Sequence, residues 1–90
     1  MKYILYWEFD IKDFEIIAQK YANVPEELSG KSISENYTVP GETRGFQLIE
    51  VEDPLEISKI ALYYAPEVDI TAQPIIEAKQ VMKAFQQTKT

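Results

Sequence analysis

The sequence predicts an α+β sandwich: a four-stranded antiparallel sheet with two helices on one face and a further helix at the C-terminus. Three observations lead there. Strand-type and helix-type apolar patterns alternate along the chain in the order β-α-β-β-α-β, and turn or capping residues fall at their boundaries. The two halves also share one layout on either side of a turn pair, Pro40-Gly41. Ninety residues make a single domain, residues 1–90. A chain of this size buries only about 60–70% of its unfolded surface, so cover from a partner would add to its stability.

The first strand is Lys2–Phe9, KYILYWEF. Its aromatic and β-branched content suits a pleated surface, with Tyr3, Leu5, Trp7 and Phe9 on one face and Ile4, Tyr6 and Glu8 on the other. Asp10 then stands where an N-cap belongs, and Ile11, Phe14, Ile17, Ala18 and Tyr21 follow at helical spacing to about Asn23. Val24-Pro25 ends that helix, and a polar connection over residues 26–30 leads to a second strand over residues 31–39. There Ile33, Tyr37 and Val39 alternate with polar residues.

At Pro40-Gly41 the proline presets φ and the glycine accepts a positive φ, which makes the segment through Thr43 a hairpin loop. The stretch RGFQLIEVEDP, residues 44–54, follows as a turn exit at Gly45, a third strand over residues 46–51 and a helix start. Asp53 is the N-cap, Pro54 the first-turn proline and Glu56 the reciprocal acid of a capping box. Leu55, Ile57, Ile60, Ala61 and Tyr64 carry the apolar positions of that helix until Ala65-Pro66 stops it. Residues 68–73 alternate as a fourth strand ending near Pro74, a residue that belongs on an edge. Ala78, Val81, Met82 and Phe85 repeat at i, i+3, i+4 and i+7 in a short last helix, with residues 86–90 expected to fray.

Two split βαβ units in this order give the ferredoxin-like sandwich. Right-handed crossovers put the two helices on one face of the sheet and leave the other face open. On the first strand that open face carries Ile4, Tyr6 and Glu8. An exposed face of this kind is rare on a soluble monomer, so a second copy of the sheet or the C-terminal helix is expected to cover it.

Composition removes several functions. There is no cysteine and no histidine, which excludes thiolate and imidazole chemistry, histidine-ligated haem or zinc, and Ser-His or Cys-His nucleophile pairs. The net charge of -6 disfavours nucleic acid and anionic membranes, both of which rely on basic residues to neutralise phosphate. A mean hydropathy of -0.26 with no long apolar run argues against a spanning helix. The N-terminal MKYILYWEF is broken by Glu8 and Asp10 and lacks a small-residue cleavage site, so it reads as a strand of a cytoplasmic protein rather than as a leader. No cofactor is implied. The acids Glu50, Glu52, Asp53 and Glu56 lack metal-ligand spacing, and two of them are explained by capping, so no metal site is expected.

Tyr6, Glu8 and Glu50 are the candidate catalytic residues: a carboxylate desolvated between two sheets beside a phenol would form an acid/base pair. The plainer reading leaves both glutamates solvated at strand ends. Arg44, the one arginine, would clamp a ligand carboxylate or phosphate, or pair with Glu42 or Glu50 across the hairpin. Trp7 would stack on an aromatic ligand, or pack under the helices as core.

The start MKYILYWEF, the central RGFQLIEVEDP and the late strand Val68–Ile75 followed by a helix resemble the domain of unknown function 3303 family. The resemblance covers nearly the whole chain, anchored at Trp7, Arg44, Gly45, Phe46, Glu50, Asp53 and Pro74. It implies membership of the dimeric α/β-barrel group of ferredoxin-like proteins and hence a homodimer in which two sheets face each other. Relatives in that wider group include antibiotic-biosynthesis monooxygenases, haem-degrading enzymes and chlorite dismutase-like proteins; the haem-binding branches need an axial histidine that this chain does not have. The expected function is a small homodimeric protein binding an apolar or neutral metabolite between its sheets. The alternatives are a cofactor-free monooxygenase or isomerase using a Tyr/Glu pair, and a protein interaction module. Neither the ligand nor a reaction is legible in the residues.

Overall fold

A computed structural model describes residues 1–28 and 31–88. Strand β1, Lys2–Phe9, lies at the centre of the sheet, flanked antiparallel by β4 (Arg44–Glu50) on one side and by β5 (Val68–Ile75) on the other. Two short strands, β2 (Lys31–Ser32) and β3 (Tyr37–Thr38), pair one after the other along the outer edge of β4. Taken as one interrupted strand, they complete the four-position antiparallel order of a ferredoxin-like fold. Helix α1 (Phe14–Ala22) follows β1, α2 (Leu55–Tyr64) follows β4, and α3 (Ala78–Thr88) follows β5.

The register fixes the two faces. Tyr3 lies opposite Ile49 and Pro74, Leu5 opposite Gln47 and Ala72, and Trp7 opposite Gly45 and Ile70. This is the face predicted to lie under the helices, and the core is built on it. Tyr3, Leu5, Ile49 and Val51 are buried together, and Ile57 and Ile60 of α2 pack against them with Ile70 and Ala72 of β5. Ile49 is the most enclosed side chain, at 2% exposure, and its burial contributes about 1.5–3 kcal/mol. The ladder extends past β1, because Val51 N–H donates to the Met1 carbonyl at 2.9 Å and the N-terminal ammonium donates to the Val51 carbonyl at 2.8 Å. Helix α1 is tied to α2 at its C-terminal end, where the Tyr63 hydroxyl donates to the Lys20 carbonyl at 2.6 Å. Lys20 Nζ in turn reaches Glu67 at 2.5 Å and the Ala65 carbonyl at 3.1 Å.

The caps follow the residues that predict them. Asp10 accepts from Lys12 N–H at 3.0 Å, although the first turn it caps, Ile11–Asp13, is a 3-10 turn that leads into α1 rather than its opening α-helical turn. Asp53 accepts from Leu55 N–H at 2.9 Å while Glu56 reaches back to Asp53 N–H at 3.5 Å. Glu42 N–H donates to the Val39 carbonyl at 3.0 Å, closing a type II turn with Pro40 at its second position and Gly41 at its third, where φ is 78°.

Three expectations need correction. The second strand is not continuous over residues 31–39: it bends at Ile33 and Ser34, and the Ser34 hydroxyl accepts from Leu48 N–H at 2.7 Å in place of a strand carbonyl. The poor strand formers Glu35 and Asn36 follow the bend. Strand β5 does not stop at Pro74 but runs to Ile75, which the missing N–H permits because β5 is an edge strand paired to β1 alone. The last helix does not fray after Phe85, since Gln86–Thr88 remain helical; positions 89 and 90 of the expected frayed end lie outside the described residues, as do positions 29 and 30 of the first connection.

Helix α3 does not cover the open face of the sheet. All of its described residues are exposed, and it extends the chain to 56 Å in its longest dimension. The radius of gyration is 15.8 Å, where a compact chain of this length has about 12 Å. The accessible surface is 6976 Å², where a compact monomer of 10.4 kDa exposes about 5400 Å². Roughly 1600 Å² of extra surface is therefore left uncovered by the single chain.

Candidate functional site

The open sheet face is the candidate site, and strand register arranges its side chains in four rows. One end row holds Arg44, Glu8 and Asp69, the next Phe46, Tyr6 and Thr71, the third Leu48, Ile4 and Gln73, and the far end Glu50, Lys2 and Ile75. The edge strand extends the second row with Tyr37, which pairs with Phe46, and its ring stacks on the Phe46 ring at 5.3 Å. Ile33 N–H donates to the Leu48 carbonyl at 2.9 Å, which sets Ile33 beside the third row. The face thus has an apolar and aromatic centre with charges confined to its two ends. Tyr6 and Tyr37 are 43% and 51% exposed, so the centre is open to solvent in the single chain.

Among the sequence-predicted residues, Tyr6 and Glu8 share this face as i and i+2 neighbours on β1, about 7 Å apart along the strand. Glu50 shares the face but lies in the row of Lys2, at the opposite end from Glu8, so the register does not bring the three together. Arg44 stands in the row of Glu8, yet its Nε donates to Glu42 Oε2 at 2.6 Å across the hairpin turn. Both side chains of that ion pair are about half exposed, so it leaves the guanidinium accessible at the rim.

Trp7 belongs to the opposite face. Its ring stacks on Phe9 at 5.9 Å, and it occupies the space over Gly45 that a side chain there would fill. No single pocket can therefore use both Trp7 and Arg44. The Gly45 that read as a turn exit is instead a buried position within β4, required to be glycine by the Trp7 ring and the Tyr37 carbonyl.

Phe46 and Tyr37 are the members of the face that candidate selection by charge passes over. Strand alternation places Phe46 on the face of Arg44 and Leu48, and that is the signal that finds it. Tyr37 needed the pairing of β3 to β4, which no local pattern contains.

Two shallow hollows lie at the Glu8 end, and one of them, of about 330 Å³, is lined by Glu8, Gly41, Glu42, Thr43 and Arg44. The second, of about 410 Å³, is bordered by Glu8, Asp10, Asp13, Glu67 and Asp69, with Lys12 as the lysine on its rim. Among the described residues, no group of three or more Asp, Glu, His or Cys side chains is placed to hold a metal ion. No helix among them is long and apolar enough to cross a membrane.

The family model described as "Domain of unknown function (DUF3303)" matches residues 1–89. The chain belongs to that family. No curated protein matches it.

Proposed function

We propose that this member of the DUF3303 family works as a homodimer whose open sheet faces close on one another into a barrel, with a small apolar or neutral metabolite held between them. One observation carries the reading: Ile4, Phe46 and Leu48, with the rings of Tyr6 and Tyr37, form a continuous apolar centre across which no described helix packs. Two sheets pack about 10 Å apart, so facing rows of these residues would enclose a dry interior. The polar groups within that interior are neutral, namely the tyrosine hydroxyls, Thr71 and Gln73. They suit a neutral ligand with one or two hydrogen-bonding groups, because an ion would lose its hydration there without an opposite charge. The extra roughly 1600 Å² per chain is what an obligate dimer interface of 2,000–5,000 Å² in total consumes.

The test is size-exclusion chromatography with light scattering at micromolar concentration, joined to titration with the neutral apolar dye Nile red. The expected result is a particle of twice the 10.4 kDa chain mass that binds the dye with blue-shifted emission. A clean monomer defeats the barrel, and a dimer that leaves the dye in water defeats the ligand site.

A second reading is favoured by the adjacency of Tyr6 and Glu8 on the open face. In a closed dimer a substrate C–H or O–H proton would pass to the Glu8 carboxylate while the Tyr6 hydroxyl donates to the substrate oxygen, an isomerisation that needs no cofactor. A dimer structure in which these groups do not converge on a common cavity counts against it.

A further inference from the structure

We infer that α3 is an exchanged arm: in the homodimer proposed above, on which this inference rests, the helix of each protomer docks against the body of the second copy. The helix is amphipathic, with Ala78, Val81 and Met82 on one stripe, and Val81 and Met82 are 51% and 57% exposed. Eleven residues are too few to hold a helix in water by themselves, so this one requires a surface.

Charge identifies the surface. Residues 78–90 contain three of the nine basic residues, Lys79, Lys83 and Lys89, and none of the fifteen acidic ones, a net +3. The other 77 residues therefore carry -9, which with the +3 makes the chain's net -6. A cationic amphipathic helix on an acidic body complements a second such body. An anionic membrane, the other common target of such helices, would repel the -9 that the helix brings with it.

Geometry selects the second copy over the chain's own sheet. Strand β5 delivers the chain to the Lys2 end, where Glu77 already binds Lys2 at 3.0 Å and Lys79 at 3.1 Å, and where Asp53 and Glu56 serve the α2 cap. The acidic hollow of Glu8, Asp10, Asp13 and Asp69 lies at the opposite end of the sheet. The eight residues of β5 span about 26 Å at 3.3 Å per residue, whereas the eleven of α3 span about 16 Å at 1.5 Å per residue. Folded back on its own protomer, the helix leaves its lysines well short of that hollow. A two-fold axis lying across the strands sets the α3 end of one protomer beside the acidic end of the other, and both arms dock at once.

The test uses Met82→Cys, the only cysteine residues 1–90 would then contain, labelled with a benzophenone. Isotope-labelled and unlabelled protein are mixed, allowed to exchange subunits and photo-crosslinked. The expected products join a labelled to an unlabelled chain, at peptides from residues 8–13 or 67–69. Crosslinks confined within single chains, in a sample that light scattering shows to be dimeric, overturn the exchange and leave the dimer standing. A monomer by light scattering overturns both. Independently, Lys79→Glu with Lys83→Glu raises the dimer dissociation constant by about tenfold, because residues 78–90 go from a net +3 to a net -1 against an acidic body; an unchanged constant counts against the arm. Binding of the unmodified protein to phosphatidylglycerol vesicles, lost in the same double variant, would assign α3 to a membrane surface instead.

Discussion

Gly45 shows at the scale of one residue how this sheet is held. A Cβ there would run into the Tyr37 carbonyl on one side and the Trp7 ring on the other. The strand pair β3–β4 and the Trp7 ring can approach β4 as they do only because that position has no side chain. Gly45→Ala is therefore expected to cost about 2 kcal/mol, as overpacking at a buried site does, and to lower the urea midpoint without changing the m-value. A midpoint within error of the unsubstituted protein would show that the edge strand yields freely. In the sequence, Gly45 reads as a turn glycine because it stands five residues after Pro40; its real constraint comes from two partners distant in the chain, so no local pattern reveals it. Gly41 is the contrasting case. Its positive φ follows from the Pro-Gly pair alone, and that was legible at once. Tyr6 and Glu8 were equally legible as face-mates, because strand alternation is a local rule, whereas the separation of Glu50 from them depends on the register of β1 against β4.

Among the elements, α1 and α2 illustrate a joint that depends on protonation. The rings of Tyr63 and Tyr64 meet edge to face at 4.9 Å, with Tyr63 bonded to the end of α1. Burial, reinforced by the neighbouring phenols of Tyr63 and Tyr21, pushes the Tyr64 hydroxyl up from 10.0 to about 12. The folded state therefore keeps its proton where the unfolded chain releases it, so stability from this group is intact below pH 10 and falls as pH rises from 10 toward 12. Comparing urea midpoints at pH 8 and pH 11, the unsubstituted protein is expected to lose more stability than Tyr64→Phe, and equal losses would show that Tyr64 contributes nothing to the alkaline limb. Element boundaries were legible where a cap or a proline marks them, as at Asp10, Asp53 and Pro66. The interruption between β2 and β3 was not, because its cause is a hydroxyl of Ser34 accepting a β4 amide fourteen residues away.

At the scale of the whole molecule, the buried apolar core among the described residues, Tyr3, Leu5, Ile49, Val51 and Val68, is small. The chain exposes roughly 1600 Å² beyond a compact monomer of its mass, and the exposed apolar side chains include Tyr6 and Tyr37 of the open face and Val81 and Met82 of α3, together with Ile11, Phe14, Ile16 and Tyr21 at and in α1 and Leu55 and Leu62 on α2. The order of elements and the identity of the open face were readable from alternation and crossover handedness. The position of α3 was not, since an amphipathic stripe specifies that a helix needs a surface without naming which. If the open faces meet in a dimer, Leu48 sits in the third row beside Ile4, half-buried in the single chain and enclosed once the second sheet arrives. Leu48→Asp then places a carboxylate in a dry interface opposite its symmetry mate, where each charge lacks a partner and desolvation alone outweighs the lost apolar contact. The expected outcome at micromolar concentration is a shift from dimer to monomer by light scattering, with the far-ultraviolet circular dichroism of the sheet retained, because the substitution leaves the Ile49 face and its core untouched. A Leu48→Asp protein that stays dimeric would place the contact elsewhere and remove the sheet-to-sheet barrel.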